Sequence, residues 1–194
     1  MRAISSIARR SVVATAALAI TATGAFAQTA TPRTFNIGLA GGLAVPTGDY
    51  AEGRDLAAGF TGLAYIGFQP RFQPLGFRLE ADVSRNSVEF LEESVEANIT
   101  QIGGAANVVL TIANDGNFRP YAIGGVGAYN IRYDDRFRDF DDQPNETKLG
   151  LNGGIGAKFR LGALNAFVEG RYKSVFLDND RKLNTIPIVF GIEF

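Results

Sequence analysis

Cysteine, histidine and tryptophan are absent from this chain, and its one methionine is the initiator, Met1. Without cysteine there is no disulfide framework and no thiolate metal site. Without histidine the usual general base and the commonest transition-metal ligand are missing. No apolar run beyond the amino terminus approaches the ~20 residues that a spanning helix needs. What remains is a chain rich in glycine, with 23 residues, and in phenylalanine, with 15.

The amino terminus carries Arg2, Arg9 and Arg10, then an apolar stretch from Ser11 to Thr23, then Ala25, Phe26 and Ala27 in a small–x–small pattern. This is the layout of a secretory signal peptide, so residues 1–27 are expected to be cleaved, leaving 28–194 as one domain. Cleavage removes those three arginines from the 19 basic residues and none of the 20 acidic ones. The resulting net charge of about −4 argues against nucleic acid as a partner.

Alternation of apolar and polar residues, punctuated by turn signals, predicts eight strands between residue 34 and the carboxyl terminus. The first is Thr34–Val45, with Phe35, Ile37, Leu39, Leu43 and Val45 on one face, before the polar loop that starts at Pro46. The second is Gly59–Gln69, ended by Pro70, and the third is Phe77–Phe90, where Phe77, Leu79, Ala81 and Val83 alternate with Arg78, Glu80, Asp82 and Ser84. The fourth, Asn98–Ile112, sets Ile102, Val108, Leu110 and Ile112 against Gln101 and Asn107, and Asn114 to Gly116 is a tight-turn signal. The fifth, Phe118–Tyr133, carries Tyr121, Ile123, Tyr129, Ile131 and Tyr133 on one face. The sixth, Thr147–Arg160, sets Leu149, Leu151, Ile155 and Phe159 against Lys148, Asn152 and Lys158, and the seventh, Ala163–Phe176, sets Val168 and Tyr172 against Glu169, Arg171 and Lys173.

The final stretch, from Asn184 to Phe194, puts Ile186, Ile188, Phe190, Ile192 and Phe194 on one face and Thr185, Pro187, Val189, Gly191 and Glu193 on the other. A strand apolar on one face and small or polar on the other suits a soluble sandwich or a membrane barrel. An apolar edge at a chain terminus favours the barrel, because closure removes the edge. This strand, ending in an aromatic residue, resembles the terminal assembly signal of bacterial outer-membrane β-barrels, with Phe190, Ile192 and Phe194 as its carriers. The whole chain is similar to the small eight-stranded OmpA/OmpX-type barrels.

The resemblance implies an all-β, antiparallel up-and-down transmembrane barrel in the bacterial outer membrane. It implies lipid and lipopolysaccharide as surroundings, the barrel-assembly machinery as a partner of the last strand, and a monomer. Enzymes among such barrels generally use a catalytic histidine, from which this chain departs, so no enzyme and no cofactor are expected. Aromatics near strand ends (Phe35, Phe68, Phe77, Tyr121, Phe159, Phe194 and Tyr133, Tyr172, Phe176) read as interfacial girdles. Glycine clusters at 38–42, 103–104, 124–127 and 153–156 read as lumen-facing residues that leave room in a narrow barrel.

Two groups could carry chemistry. Arg78, Glu80 and Asp82 on strand three and Glu169, Arg171 and Lys173 on strand seven face one lumen from opposite walls. They are expected to pair across it, either as satisfied buried charges or as the gate of a small pore. Glu80 and Asp82 as a general acid–base couple suit structure better, since basic neighbours would keep both ionised. The loop from Asp134 to Asp142 is acidic, but lacks calcium-loop spacing, and its Phe137 and Phe140 suit contact with a partner or the membrane surface. The reading is a non-enzymatic outer-membrane barrel with a structural or surface-interaction role. A narrow passive pore and a soluble periplasmic lipid-binding barrel are the alternatives.

Overall fold

The fold was analysed in a computed structural model that describes residues 34–48, 57–70, 73–88, 97–112, 116–133, 146–178 and 181–194. The side chains of residues 88, 97, 98, 133 and 146 are outside the description. Eight strands run in order: β1 (Phe35–Thr47), β2 (Gly59–Phe68), β3 (Leu75–Val88), β4 (Ala97–Thr111), β5 (Phe118–Tyr133), β6 (Glu146–Leu161), β7 (Leu164–Phe176) and β8 (Lys182–Glu193). Each pairs antiparallel with the next, and β8 returns to β1, closing the barrel. At the seam Gly38 faces Glu193 and Thr47 faces Asn184. Phe194 extends that seam, its N–H donating to the Ile37 carbonyl at 2.9 Å. Among the described strands no edge is left open, the condition for spanning a bilayer with strands.

Strand bounds move by one or two residues from the sequence expectation, and the faces follow the pleat. Outward residues are mostly apolar and exposed, among them Ile37, Leu79, Leu149, Ile155, Ile188 and Phe190. Inward residues are buried and include the described strand acids, with rings, aliphatic residues and glycines between the polar groups. This is the reverse of a soluble lipid-binding barrel, which needs an apolar interior and a polar exterior. At the end that holds Phe194, an outward row of rings runs from Phe35 through Phe68 to Phe77 in register. Phe35 and Phe68 stand 5.0 Å apart, and Phe118 and Phe159 stand 5.3 Å apart. The two-residue turn of Gly162 and Ala163 lies at the same end, with Gly162 at a φ of 67° that suits glycine.

Two expectations are corrected. Tyr121 is not a girdle residue: it points into the lumen and is 1% exposed. On β5 the bulky residues Tyr121, Ile123, Tyr129 and Ile131 face inward, where the rings fill the space beside inward glycines such as Gly103 and Gly156 on neighbouring strands. Nor do all the glycines of the clusters face the lumen. Gly41, Gly104, Gly124 and Gly153 face outward, where an added Cβ would meet only a backbone oxygen at 3.5 Å or more. Gly103 and Gly156 do face in, and a Cβ there would strike the rings of Tyr129 and Tyr121. Tyr133 as a girdle residue falls outside the described side chains, as does the loop from Asp134 to Asp142 with Phe137 and Phe140.

The described residues of the connection after β2 are hydrogen-bonded to neighbouring segments. Gln69 N–H donates to the Thr34 carbonyl at 2.8 Å, its amide donates to the Thr111 hydroxyl at 2.9 Å, and Thr111 N–H donates to the Pro74 carbonyl at 2.7 Å.

Candidate functional site: the charged lumen

Strands β3 and β7 stand four places apart in a closed ring of eight, so they face each other across the lumen and run in the same direction. Inward side chains recur every second residue. Arg78, Glu80 and Asp82 therefore rise on one wall in step with Glu169, Arg171 and Lys173 on the other. The signs are inverted rung by rung, positive–negative–negative against negative–positive–positive. Each rung closes with a constant sequence separation of 91 residues.

On the first rung Arg78 donates to Glu169 at 2.8 Å. On the second Arg171 makes a two-pronged contact with Glu80, at 2.8 and 2.6 Å, the geometry in which guanidinium–carboxylate pairs are strongest. On the third Lys173 donates to Asp82 at 2.5 Å. The rungs are cross-linked: Arg171 Nε donates to Glu169 at 2.6 Å, and the Tyr121 hydroxyl donates to the other Glu169 oxygen at 2.6 Å. All six charged residues are buried. Charges taken out of water need this density of partners, since an unpaired one costs several kcal/mol, on the order of 3–5.

A second cluster lies nearer the carboxyl-terminal end. Glu193 accepts from Lys158 at 2.6 Å, from the Tyr65 hydroxyl at 2.7 Å and from Asn165 at 3.3 Å, and Arg119 donates to Asn165 at 2.6 Å. Tyr65 joins the two clusters, for the Arg78 guanidinium sits 3.9 Å from its ring centroid. Phe167 packs on the same ring at 5.8 Å. Toward the opposite end Ile99, Tyr129, Ile131, Val175 and Leu183 form an apolar layer above the ladder. Lys148 pairs with Asp178 at 2.6 Å in that direction.

The structure thus brings together all six residues singled out on strands three and seven. Phe190, Ile192 and Phe194 are not near them; they lie on the outward face of β8. The sequence pattern did not place Glu193, Lys158, Tyr65, Tyr121 and Phe167 in one network. Parity had set Glu193 and Lys158 inward, but nothing local says which residues meet across a lumen. The ladder holds no nucleophile–base pair, because every carboxylate is engaged by a cation. Among the described residues no group of acids is arranged to hold a metal ion.

The outer membrane protein β-barrel domain profile matches residues 13–194. The chain belongs to that family. No curated protein matches it in sequence. Among solved structures, Neisserial surface protein A is similar at 14% identity, covering 83% of this chain and 96% of its own, with a TM-score of 0.60. The amino-terminal barrel domain of Pseudomonas aeruginosa OprF is 16% identical, with coverages of 84% and 98% and a TM-score of 0.47. Ail, the attachment invasion locus protein of Yersinia pestis, is 17% identical, with coverages of 84% and 100% and a TM-score of 0.49. At 14% identity the likeness to Neisserial surface protein A is one of fold.

Proposed function

We propose that this family member is a non-enzymatic barrel of the bacterial outer membrane that serves as an anchor, with its long connections meeting the outside. The observation that carries this reading is the ladder: three buried ion-pair rungs, an apolar layer and a second ionic cluster occupy the lumen in series. A lumen of eight strands is only wide enough for side chains to fill. In this reading residues 1–27 direct export and are removed, and 28–194 form the barrel. Phe190, Ile192 and Phe194 present the last strand to the assembly machinery. The chain works as a monomer surrounded by lipid and lipopolysaccharide, and its carboxyl-terminal end faces the periplasm, where short turns belong.

The test is planar-bilayer recording on protein whose gel mobility shifts on boiling. A shifting band without discrete conductance steps is the expected result. Discrete steps from the same preparation would replace the anchor by the narrow passive pore. A band that does not shift, from protein found in the soluble periplasmic extract, would remove the membrane reading itself.

A further inference from the structure

The lipid-facing wall carries charge of one sign at one end. Among described strand side chains that face outward, the charged ones are Arg85 on β3, Arg132 on β5 and Lys182 on β8, all at the end away from Phe194. The described strand acids Glu80, Asp82, Glu169 and Glu193 all face inward. The opposite rim is ringed by phenylalanine instead.

Two of these cations form a group. Arg85 faces Thr100 across β3–β4, and Thr100 faces Arg132 across β4–β5, so the three stand in one row. With strands about 4.8 Å apart, the two arginine backbones are about 10 Å apart with the threonine hydroxyl between them. Both arginines are exposed. Arg132 Nε donates to Asn130 at 3.0 Å, a neutral partner. Neither guanidinium has a carboxylate partner among the described residues. Directly below in register come Val83, Ile102 and Asn130, then the small row of Ala81, Gly104 and Ala128. Below that, Ala106 lies between Leu79 and Val126, which are 67% and 59% exposed. The arginines therefore stand one row above Ile102, and below it the small residues Ala81, Gly104, Ala128 and Ala106 leave a shallow apolar channel on the outward face.

We propose that Arg85, Thr100 and Arg132 bind a phosphate of an anionic glycolipid of the outer leaflet, with an acyl chain lying in the channel over Gly104 and Ala106. The assignment rests on the membrane reading above for which end faces outward. Two guanidiniums give paired, directional donors to a phosphate, which a single point charge does not. No described strand acid faces outward to repel it. The channel explains why the partner is a lipid rather than a soluble anion.

The test is native mass spectrometry of the detergent-solubilised barrel, titrated with bisphosphorylated lipid A and with the same lipid after removal of its phosphates. The wild type is expected to prefer the phosphorylated form, and R85Q/R132Q to bind it about 30-fold more weakly, as loss of two cationic contacts implies. R160Q, at the other rim, is expected to bind as wild type. Gly104→Leu, whose Cβ meets only the Glu80 carbonyl at 3.5 Å, should fold yet lose affinity by filling the channel. In wild type, rising salt should weaken binding. Equal binding of the dephosphorylated lipid, an unchanged R85Q/R132Q, or displacement by inorganic phosphate at matched concentration would overturn the proposal. A boiling shift retained in every variant shows that the barrel is intact. Its loss in the wild type would instead count against the membrane reading.

Discussion

The third rung of the ladder offers the cleanest energetic test, because each partner has one ionic contact. Lys173 Nζ and Asp82 Oδ2 are 2.5 Å apart, with side chains 6% and 3% exposed. Lys173→Met leaves the Asp82 carboxylate buried without a cation, and should cost about 3–5 kcal/mol. Asp82→Leu leaves the ammonium in the same position at a similar cost. The pair D82L/K173M removes both charges, and the methionine sulfur keeps a contact with the Tyr129 ring, whose centroid lies 4.7 Å from the native ammonium. The double variant should therefore fall within about 1 kcal/mol of wild type, since an apolar pair of similar volume replaces a buried ion pair at little net cost. The assay is equilibrium urea unfolding in phospholipid vesicles, read from the folded and unfolded bands of unboiled samples. The cycle should give a coupling of several kcal/mol. Effects that add within about 0.5 kcal/mol would mean that the charges do not sense each other. The lumen would then be wet enough to screen them, and the account of a dry ladder would be wrong.

Three further expectations use the same unfolding assay or its in vivo counterpart. Gly156→Val should destabilise by about 1–3 kcal/mol, since its Cβ would meet the Tyr121 ring and the Val168 carbonyl, whereas Gly153→Ala, with only the Ile123 carbonyl at 3.8 Å, should be close to neutral. Equal effects would contradict the assignment of the two glycines to opposite faces. Tyr65→Phe should cost about 1 kcal/mol, because Lys158 and Asn165 still hold Glu193; Lys158→Met should cost about 3 kcal/mol or more. Phe194→Ser should lower the amount of assembled, boiling-sensitive protein in cells while leaving refolding into detergent unchanged. A refolding defect of the same size would make Phe194 a packing residue rather than part of an assembly signal.

Alternation alone was enough to write down eight strands, their approximate ends and the outward faces of six of them. Side-chain direction in a strand repeats every two residues, and lipid outside with polar groups inside makes that period visible. It failed on β5, where Arg119 shares a face with Tyr121 while Asn130 and Arg132 mark the other. Each face carries polar residues at one end, so local sequence does not say which face turns inward. The facing of β3 and β7 also came from the strand count, and with it the sign-inverted runs from Arg78 to Asp82 and from Glu169 to Lys173.

What tertiary structure alone decided was register and depth. Only closure of β8 on β1 brings Glu193 within reach of both Tyr65 and Lys158. Only the cross-strand register seats the Tyr129 ring against Gly103 and aligns Arg85, Thr100 and Arg132 in one row. Strand direction and period are local properties of the chain. Which rung meets which is fixed by the stagger of eight strands around a closed ring, and no single stretch of sequence contains it.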